Sequence, residues 1–314
     1  MTETPSILVV GSVNSDLVLR TSRLPQVGES LVGTSYCRMP GGKGANQAVA
    51  IARLGATATL VGSIGADAEG QALRASLSTE GVRTEFISCY PAASTGLAVI
   101  TVDARGRNSI VVISGANSEV FEEHVDAALC ANRYDGLLLQ LEIPAQTVIA
   151  ACNLAGARDV PIVIDAGPAQ EFPLERLQGL HVLTPNESET AVLTGITPRN
   201  SRDARAAAEV LLRRSKAKAI VLKLGERGAF LYQANGVCEH FPACAVDAVD
   251  TTAAGDAFTA AMTVEYTRSG DLRRAVMLGN AAGALATTTL GAQPSLPTSP
   301  VLEAFCVRQG IYGR

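Results

Sequence analysis

The sequence predicts an α/β chain: a mostly parallel central sheet covered by helices on both faces, in three α/β/α layers, with a small β-sheet projecting from it as a lid. Three observations carry this. Short runs rich in Val, Ile and Leu alternate with helical patterns over most of the 314 residues, and such alternation implies parallel strands joined by right-handed crossovers. Two stretches, 17–36 and 96–113, break the rhythm and read as antiparallel ribbon. With 47% hydrophobic and 18% charged residues, the chain has material for a large core and too little charge for disorder.

Buried strands are expected at 7–10, 59–61, 137–141, 162–164, 182–183 and 220–222. Between them, 45–54, 70–80, 145–157 and 204–213 carry apolar residues at helical spacing. Gly55 and Gly81 follow the first two helices, where a left-handed residue ends the turn. The second ribbon is a hairpin, 97–102 against 109–113, turning through Asp103, Ala104, Arg105 and Gly106. A flap on an α/β body needs a use for its second face, either as a lid over a ligand or as a dimer contact. At about 150 residues per domain the length suggests two domains, but a single α/β unit of this size is common. No repeat, low-complexity tract or linker divides the chain, so one domain over 1–314 is expected.

Composition excludes several classes. A net charge of −4 argues against a nucleic-acid surface. The seven cysteines are scattered without a C-x-x-C pair, which reads as reduced thiols of a cytoplasmic protein, mostly buried as small hydrophobes. His124, His181 and His240 lie far apart, so no zinc site is expected. The first apolar stretch, 7–10, is too short for a signal peptide. The uncharged run 275–302 is long enough to span a membrane, but Asn280, Thr287, Thr288, Thr289, Gln293 and three prolines argue against that. A soluble protein is expected.

The most informative segment is Asp250-Thr251-Thr252-Ala253-Ala254-Gly255-Asp256-Ala257-Phe258. From Gly255 the pattern turns helical, with Phe258, Ala261, Met262 and Tyr266 on one side. Small residues there leave backbone N–H groups at a helix N-terminus, where the dipole favours an anion. Asp256 alone reads as a capping carboxylate. The Ala-Ala-Gly run shifts the balance, because no side chain fills the space before those amides. An anion hole beside a carboxylate suits phosphoryl transfer: the amides hold developing charge while the carboxylate accepts a hydroxyl proton.

The second segment is Met39-Pro40-Gly41-Gly42-Lys43-Gly44-Ala45-Asn46-Gln47. Its glycines permit positive φ and close approach of a ligand to the main chain, or simply a turn. It is neither G-x-x-x-x-G-K-S/T nor G-x-G-x-x-G, and Gly11-Ser12-Val13-Asn14 also fails the dinucleotide fingerprint.

Together these segments resemble the signatures of the ribokinase branch of a carbohydrate kinase family that also holds adenosine kinase and fructokinases. The signatures are Gly41-Gly42-Lys43-Gly44-Ala45-Asn46-Gln47-Ala48 and Asp250-Thr251-Thr252-Ala253-Ala254-Gly255-Asp256, within a similarity running over about 7–305. Gly11-Ser12-Val13-Asn14-Ser15-Asp16 and Gly291-Ala292-Gln293-Pro294-Ser295 add to the likeness. The resemblance implies a ribokinase-like fold and ATP-dependent phosphorylation of D-ribose at O5.

It also implies roles. Asp256 would be the general base, with the amides of Ala253, Ala254 and Gly255 lining the anion hole. Asn14 and Asp16 follow the first strand, where α/β sheets place ligands. Asp16 would grip the sugar, with a turn residue opening the lid as the alternative. Gly42, Lys43 and Asn46 would complete the sugar pocket, although Lys43 alone also reads as a solvated side chain. Glu142 would contact the sugar, with a structural cap as the alternative.

Asn186 and Glu189 resemble the family's N-x-x-E motif and would hold the water shell of Mg²⁺ near ATP, Glu189 through water. The plain reading is an N-cap Asn with an acidic first turn. The segment Leu224-Gly225-Glu226-Arg227-Gly228 matches the nucleotide loop, placing Lys223, Gly225 and Gly228 with ATP, joined by Gly255 and by Asn280 near the adenine. Lys223 stands where relatives commonly have Thr. K⁺ would bind at Asp250, Thr252, Ala286, Thr289, Gly291 and Ser295, largely through backbone oxygens, with Thr289 replacing a basic residue often seen there. Asp165-Ala166-Gly167-Pro168-Ala169 departs from an Asn-Pro-Ala-Pro-like segment, so Asp165 is left outside the site. The lid, 17–36 and 96–113, would close over the sugar, exclude water and pair with a second subunit in a homodimer.

Other readings are a kinase for deoxyribose, fructose or adenosine, and a non-catalytic sugar-binding sensor. A nucleoside would need an apolar slot for its base, and 4% aromatics without Trp weakens that. A sensor predicts loss of the base or the anion hole, yet Asp256 and Ala253-Ala254-Gly255 are both present. A NAD-linked oxidoreductase is lower still.

Overall fold

The computed structural model describes residues 4–311; residues 1–3 and 312–314, the ends of the expected 1–314 span, lie outside the described residues. The chain begins with β1 (Ser6–Val10), β2 (Asn14–Arg20), β3 (Ser35–Gly41), α1 (Lys43–Arg53), β4 (Thr57–Gly65), α2 (Ala68–Thr79) and β5 (Ile87–Tyr90). It continues through β6 (Gly96–Val102), β7 (Asn108–Ile113), α3 (Glu122–Ala131), β8 (Gly136–Gln140), α4 (Ala145–Gly156), β9 (Ile162–Asp165), β10 (Leu180–Thr184) and α5 (Glu187–Thr194). The last third holds α6 (Ser201–Ser215), β11 (Ala219–Lys223), β12 (Ala229–Gln233), β13 (Cys238–Phe241), α7 (Ala254–Ser269), α8 (Leu272–Ala286), α9 (Ala292–Ser295) and α10 (Ser299–Arg308).

Nine strands form the central sheet in the order β13-β12-β11-β10-β9-β8-β1-β4-β5. All neighbours from β11 to β5 run parallel, while β12 and β13 are antiparallel at one edge. Alternate strand residues serve opposite faces. Ile7 and Val9 pack into a core with α1, α7 and α8, whereas Leu8 and Val10 pack with α3, α4 and α6. Burial on both faces is why these strands read as unbroken apolar runs rather than as alternation. The edge strands β5 and β13 escape such a reading: each has four residues, part of them exposed.

The lid is a four-stranded sheet, β3-β2-β6-β7. Its hairpin, β6 with β7, lies within the expected 96–113 segment. The first ribbon differs from expectation, since only the two ends of 17–36 pair. The strands are 14–20 and 35–41, and Asn14 lies opposite Gly41. The intervening chain is interrupted by Pro25, Gly28 and Gly33, which favour a loop over a ladder. The pairing thus starts at the body of the molecule, where β1 ends and α1 begins.

Two further expectations need correction or completion. Most thiols are not buried: Cys37, Cys89, Cys130 and Cys238 are exposed, and only Cys152 and Cys306 lie fully inside. The first four sit on the lid, on the edge strands β5 and β13, and on the outer side of α3, so chain position overrides the residue's preference for the core. The run 275–302 is divided among α8, α9 and the start of α10. Among the described residues no helix is long and apolar enough to cross a membrane.

Candidate active site

Parallel strands end at one edge of the sheet, and there the helices α1 and α7 begin. The glycines before α1 allow that convergence. Gly42 has φ 89°, and a Cβ on it would fall 2.8 Å from Asn14 N and 2.9 Å from Ser12 O. On Gly44 it would meet Gly11 and Ser12 backbone at 2.6 Å. Both positions therefore serve backbone packing of α1 on the turn after β1, where Ala45 N donates to Ser12 O at 2.9 Å. Gly41 opens space for a side chain instead: a Cβ there would lie 2.3 Å from Asp16 Cγ.

Asp256 occupies the first turn of α7 and is 4% exposed. Asn46 Nδ2 donates to its Oδ2 at 3.0 Å and Gln47 Nε2 to its Oδ1 at 2.9 Å, with Lys43 Nζ 3.8 Å away. Burial, the largest influence, pushes its carboxyl above the ordinary range; Asp165 adds to that, while Lys43 and the two amides oppose it. A buried carboxylate that is stabilised yet basic suits proton abstraction. No side chain caps α7. The amide of Ala254 already donates to Thr251 O at 3.2 Å, so the expected trio changes. Ala253 and Gly255, with Asp256 itself, offer amides that have no protein acceptor among the described residues.

Asp165, left out by the sequence reading, lies at the centre of the cluster. It is fully buried at the end of β9 and accepts from Gln47 Nε2 at 2.7 Å and from Lys223 Nζ at 2.7 Å, with Lys43 Nζ at 3.8 Å. Burial opposes its charge, but Lys223 and then Lys43 outweigh it and hold the carboxyl below the usual range. Asp165 and then Asp256, with Glu142 and Glu189, raise the Lys43 ammonium above its ordinary value despite desolvation. Gln140 Nε2 donates to Gln47 Oε1 at 2.6 Å, which orients the shared amide.

On the lid side, a cavity of about 320 Å³ is lined by Asn14, Val112, Asn117, Glu142, Pro168 and Gln170, among others. Asn117 Nδ2 donates to Asn14 Oδ1 at 2.7 Å. Glu142 Oε2 accepts from Lys43 N at 3.0 Å and from Ser12 Oγ, so this carboxylate does cap the start of α1. Its Oε1 has no protein partner among the described residues. Asp16 is pushed up to about 7, first by burial and then by the charges of Glu142 and Asp256.

The nucleotide-side candidates divide. Asn186 is the N-cap of α5 in a reciprocal box: its Oδ1 accepts from Glu189 N at 2.8 Å, and Glu189 Oε2 accepts from Asn186 N at 2.6 Å. The capping role is thus occupied, yet Glu189 also reaches the central cluster. Its Oε1 and Lys43 Nζ each stand 2.7 Å from where a Cβ on Gly167 would be. Burial raises its carboxyl, Asp165 adds to that, and Lys223 and Lys43 oppose it. Lys223 turns to Asp165. Gly225 and Gly228 shape the β11–β12 turn, with φ 56° and 87°; a Cβ on Gly228 would sit 2.0 Å from Phe241 O. Asn280 donates to Pro242 O at 2.7 Å beside a second cavity of about 320 Å³ that includes Phe241, Ala243 and Met277.

Asp250 joins two loops. Its Oδ2 accepts from Gly291 N at 2.8 Å and its Oδ1 from Thr252 N at 2.9 Å and Thr252 Oγ1. Ser295 Oγ donates to Ala292 O at 2.8 Å, and Thr289 N to Ala286 O at 3.3 Å.

The structure therefore gathers Asp256, Lys43 and Asn46 into one network, borders it with Asp16, Glu142 and Glu189, and sets Asn280 and Gly228 apart. Asp165, Gln47, Gln140, Ser12 and Asn117 belong to the same region without having been picked out. One signal did exist for Asp165. It departs from the expected segment by gaining a negative charge while Lys223 departs by gaining a positive one.

Comparison with known proteins bears on this geometry. Residues 4–299 match the pfkB family carbohydrate kinase pattern. The chain is 36% identical to a ribokinase of Bacillus subtilis (strain 168) over 299 residues, covering 95% of this chain and 98% of that one. It is 33% identical to a deoxyribokinase of Salmonella typhi over 294 residues, 93% of this chain and 95% of that one. The structure of Arabidopsis thaliana ribokinase complexed with ribose and ATP superposes with a TM-score of 0.87 at 30% identity, covering 96% of this chain and 99% of that one.

Proposed function

The chain belongs to the pfkB family of carbohydrate kinases, and from that premise we propose that its reaction is transfer of the γ-phosphoryl of ATP to O5 of D-ribose, giving D-ribose 5-phosphate and ADP. The observation that carries it is Asp256: a buried, raised carboxylate in the first turn of a helix whose leading amides no side chain caps.

The protein phosphorylates ribose in one displacement. The sugar lies under the lid with its hydroxyls toward Asn14, Asp16, Asn46 and Glu142. Asp256 takes the proton of the 5-hydroxyl as that oxygen bonds to the γ-phosphorus and the bond to the β-phosphate oxygen breaks. The amides of Ala253 and Gly255 hold charge on the transferring group, fixed in place before reaction and so costing no reorganisation. Closing the lid keeps water from competing as acceptor. The adenine side of ATP falls to the cavity beside Asn280, with Gly225 and Gly228 letting main chain approach the nucleotide.

Cations, the assembly and the location extend the same proposal. Mg²⁺ keeps most of its waters, so a single buried carboxylate such as Glu189, with Asn186 beside it, suits its outer shell; when bound it neutralises charge on the phosphates. Carbonyl and hydroxyl oxygens at Thr252, Ala286, Thr289, Gly291 and Ser295 suit K⁺, and Asp250 adds negative charge while its own oxygens tie the loops. K⁺ would supply positive charge near the anion hole. The exposed β7 face supports a homodimer through the lid. An ATP-dependent reaction and exposed thiols suit the cytoplasm.

The test is an ADP-release assay with ribose, deoxyribose, fructose and adenosine. The highest kcat/KM is expected with ribose; a preference for deoxyribose, the substrate in the name of the Salmonella relative, would move the specificity. No turnover of any of the four would reject the kinase.

A further inference from the structure

We propose that Lys223 is a second catalytic group, a cation that binds the transferring phosphoryl, and that Asp165 is the positioning residue that holds it there. This rests on the kinase reading above and adds a residue to it.

Lys223 ends β11 with its side chain 10% exposed and Nζ 2.7 Å from Asp165 Oδ1. The same Nζ is 3.7 Å from where a Cβ on Gly255 would be. The ammonium therefore stands beside the first turn of α7, whose leading amides no side chain caps. Of its three N–H donors, one goes to Asp165, its hydrogen-bond partner among the described residues, and the charge of the ammonium also acts on the nearby Glu189 carboxylate. Two donors are thus left without a protein hydrogen-bond partner among the described residues, close to Gly255 in the first turn of α7.

The two buried lysines differ in their commitments. Lys43 Nζ lies 3.8 Å from both Asp165 and Asp256, so its charge is shared between them and acts on the base. Lys223 has no such link to Asp256. Asp165, fully buried, holds the lysine through Oδ1, while its other oxygen, Oδ2, is anchored by Gln47 Nε2. A long side chain would otherwise carry rotamer freedom into the site. A phosphoryl in transfer carries its negative charge on three equatorial oxygens. A fixed cation beside those oxygens, in a water-poor site, favours that charge distribution more than it favours bound ATP. The lysine forms no covalent bond: it donates hydrogen bonds while the sugar oxygen bonds to phosphorus and the β-phosphate oxygen leaves.

Two variants separate this from a merely structural ion pair. Lys223→Gln keeps a donor for Asp165 and removes the charge. Asp165→Asn with Lys223→Met removes both charges together, so that neither is left buried alone. In each, ribose and ADP binding measured by calorimetry should stay near wild type. The kcat should fall by about 10²-fold, the usual scale for loss of one transition-state donor. Affinity for ADP–aluminium fluoride with ribose, a mimic of the transferring phosphoryl, should fall by a similar factor. Lys223→Arg should restore part of the rate. If either folded variant keeps wild-type kcat and wild-type affinity for the fluoride complex, the pair is structural and the proposal is overturned. Because the wild-type assay is run first, failure here is distinct from failure of the kinase reading.

Discussion

Gln47 Nε2 donates to Asp256 Oδ1 across 2.9 Å, and its other hydrogen goes to Asp165 Oδ2 at 2.7 Å. One amide thus spaces two buried carboxylates that would otherwise repel. Gln47→Leu is expected to leave both acids short of a donor, costing about 1–3 kcal/mol of stability for each group left unsatisfied. It should also raise the apparent pKa of the acidic limb of kcat, since Asp256 loses support for its charge. Denaturant melts and a pH–rate profile check both; an unchanged profile would remove Gln47 from the control of the base.

Asp256→Asn tests the base directly. The amide is isosteric: its oxygen still accepts from Gln47, and its NH2 can donate to Asn46 Oδ1, which has no other partner among the described residues, once the Asn46 amide turns. Ribose binding should therefore survive, while kcat drops by at least about 10²-fold. Calorimetry reads the first and the ADP assay the second. A variant that turns over normally would take Asp256 out of the mechanism.

Asp16 gives the sugar site a pH dependence near neutrality. Its carboxyl is raised from an ordinary 3.8 to about 7 by burial and then by Glu142 and Asp256. Between those values the folded chain holds a proton that the unfolded chain has lost, so this group's contribution to stability declines as pH rises from about 4 to about 7. Vicinal hydroxyls are best accepted by the ionised form. Ribose affinity is therefore expected to improve as pH rises through about 7, with the gain absent in Asp16→Asn. Titration calorimetry at pH 6 and pH 8 decides it.

The loops tied by Asp250 lead to a prediction about monovalent ions. Replacing K⁺ by tetramethylammonium at constant ionic strength should depress kcat, because the large ion does not fit among main-chain oxygens at Thr252, Ala286 and Gly291. Asp250→Asn should weaken the K⁺ response through loss of charge, while its remaining oxygen still accepts from Gly291. Equal rates in the two salts would dismiss the site.

Ile110, Val111, Val112 and Ile113 are each at least half exposed on β7, an edge with no further strand among the described residues. Such an edge invites pairing with another chain. Wild-type protein should sediment as a dimer, and Val111→Lys should shift it toward monomer with little change in the melt of the α/β body. A monomeric wild type would refute pairing through the lid.

The parallel strands were legible because both faces are buried, so Ile7, Leu8, Val9 and Val10 are all apolar. The first turn of α7 was legible because its amides and Asp256 are consecutive, and local spacing encodes local geometry. The four-residue edge strands β5 and β13 were not, since each is short and partly exposed and so shows neither an apolar run nor a clean alternation.

By itself, then, the sequence determined the alternation of elements, the start of α7 and the identity of the acid placed there. Tertiary structure alone decided that Asp165, at the end of β9, meets Gln47 from α1 and Lys223 from β11, residues separated by up to 176 positions. It also decided that Gly42 and Gly44 serve close backbone packing while Gly41 makes room for Asp16. The physical reason is the same in each case. A charge or a missing side chain takes its meaning from what the fold brings within a few ångströms of it, and sequence spacing does not record that distance.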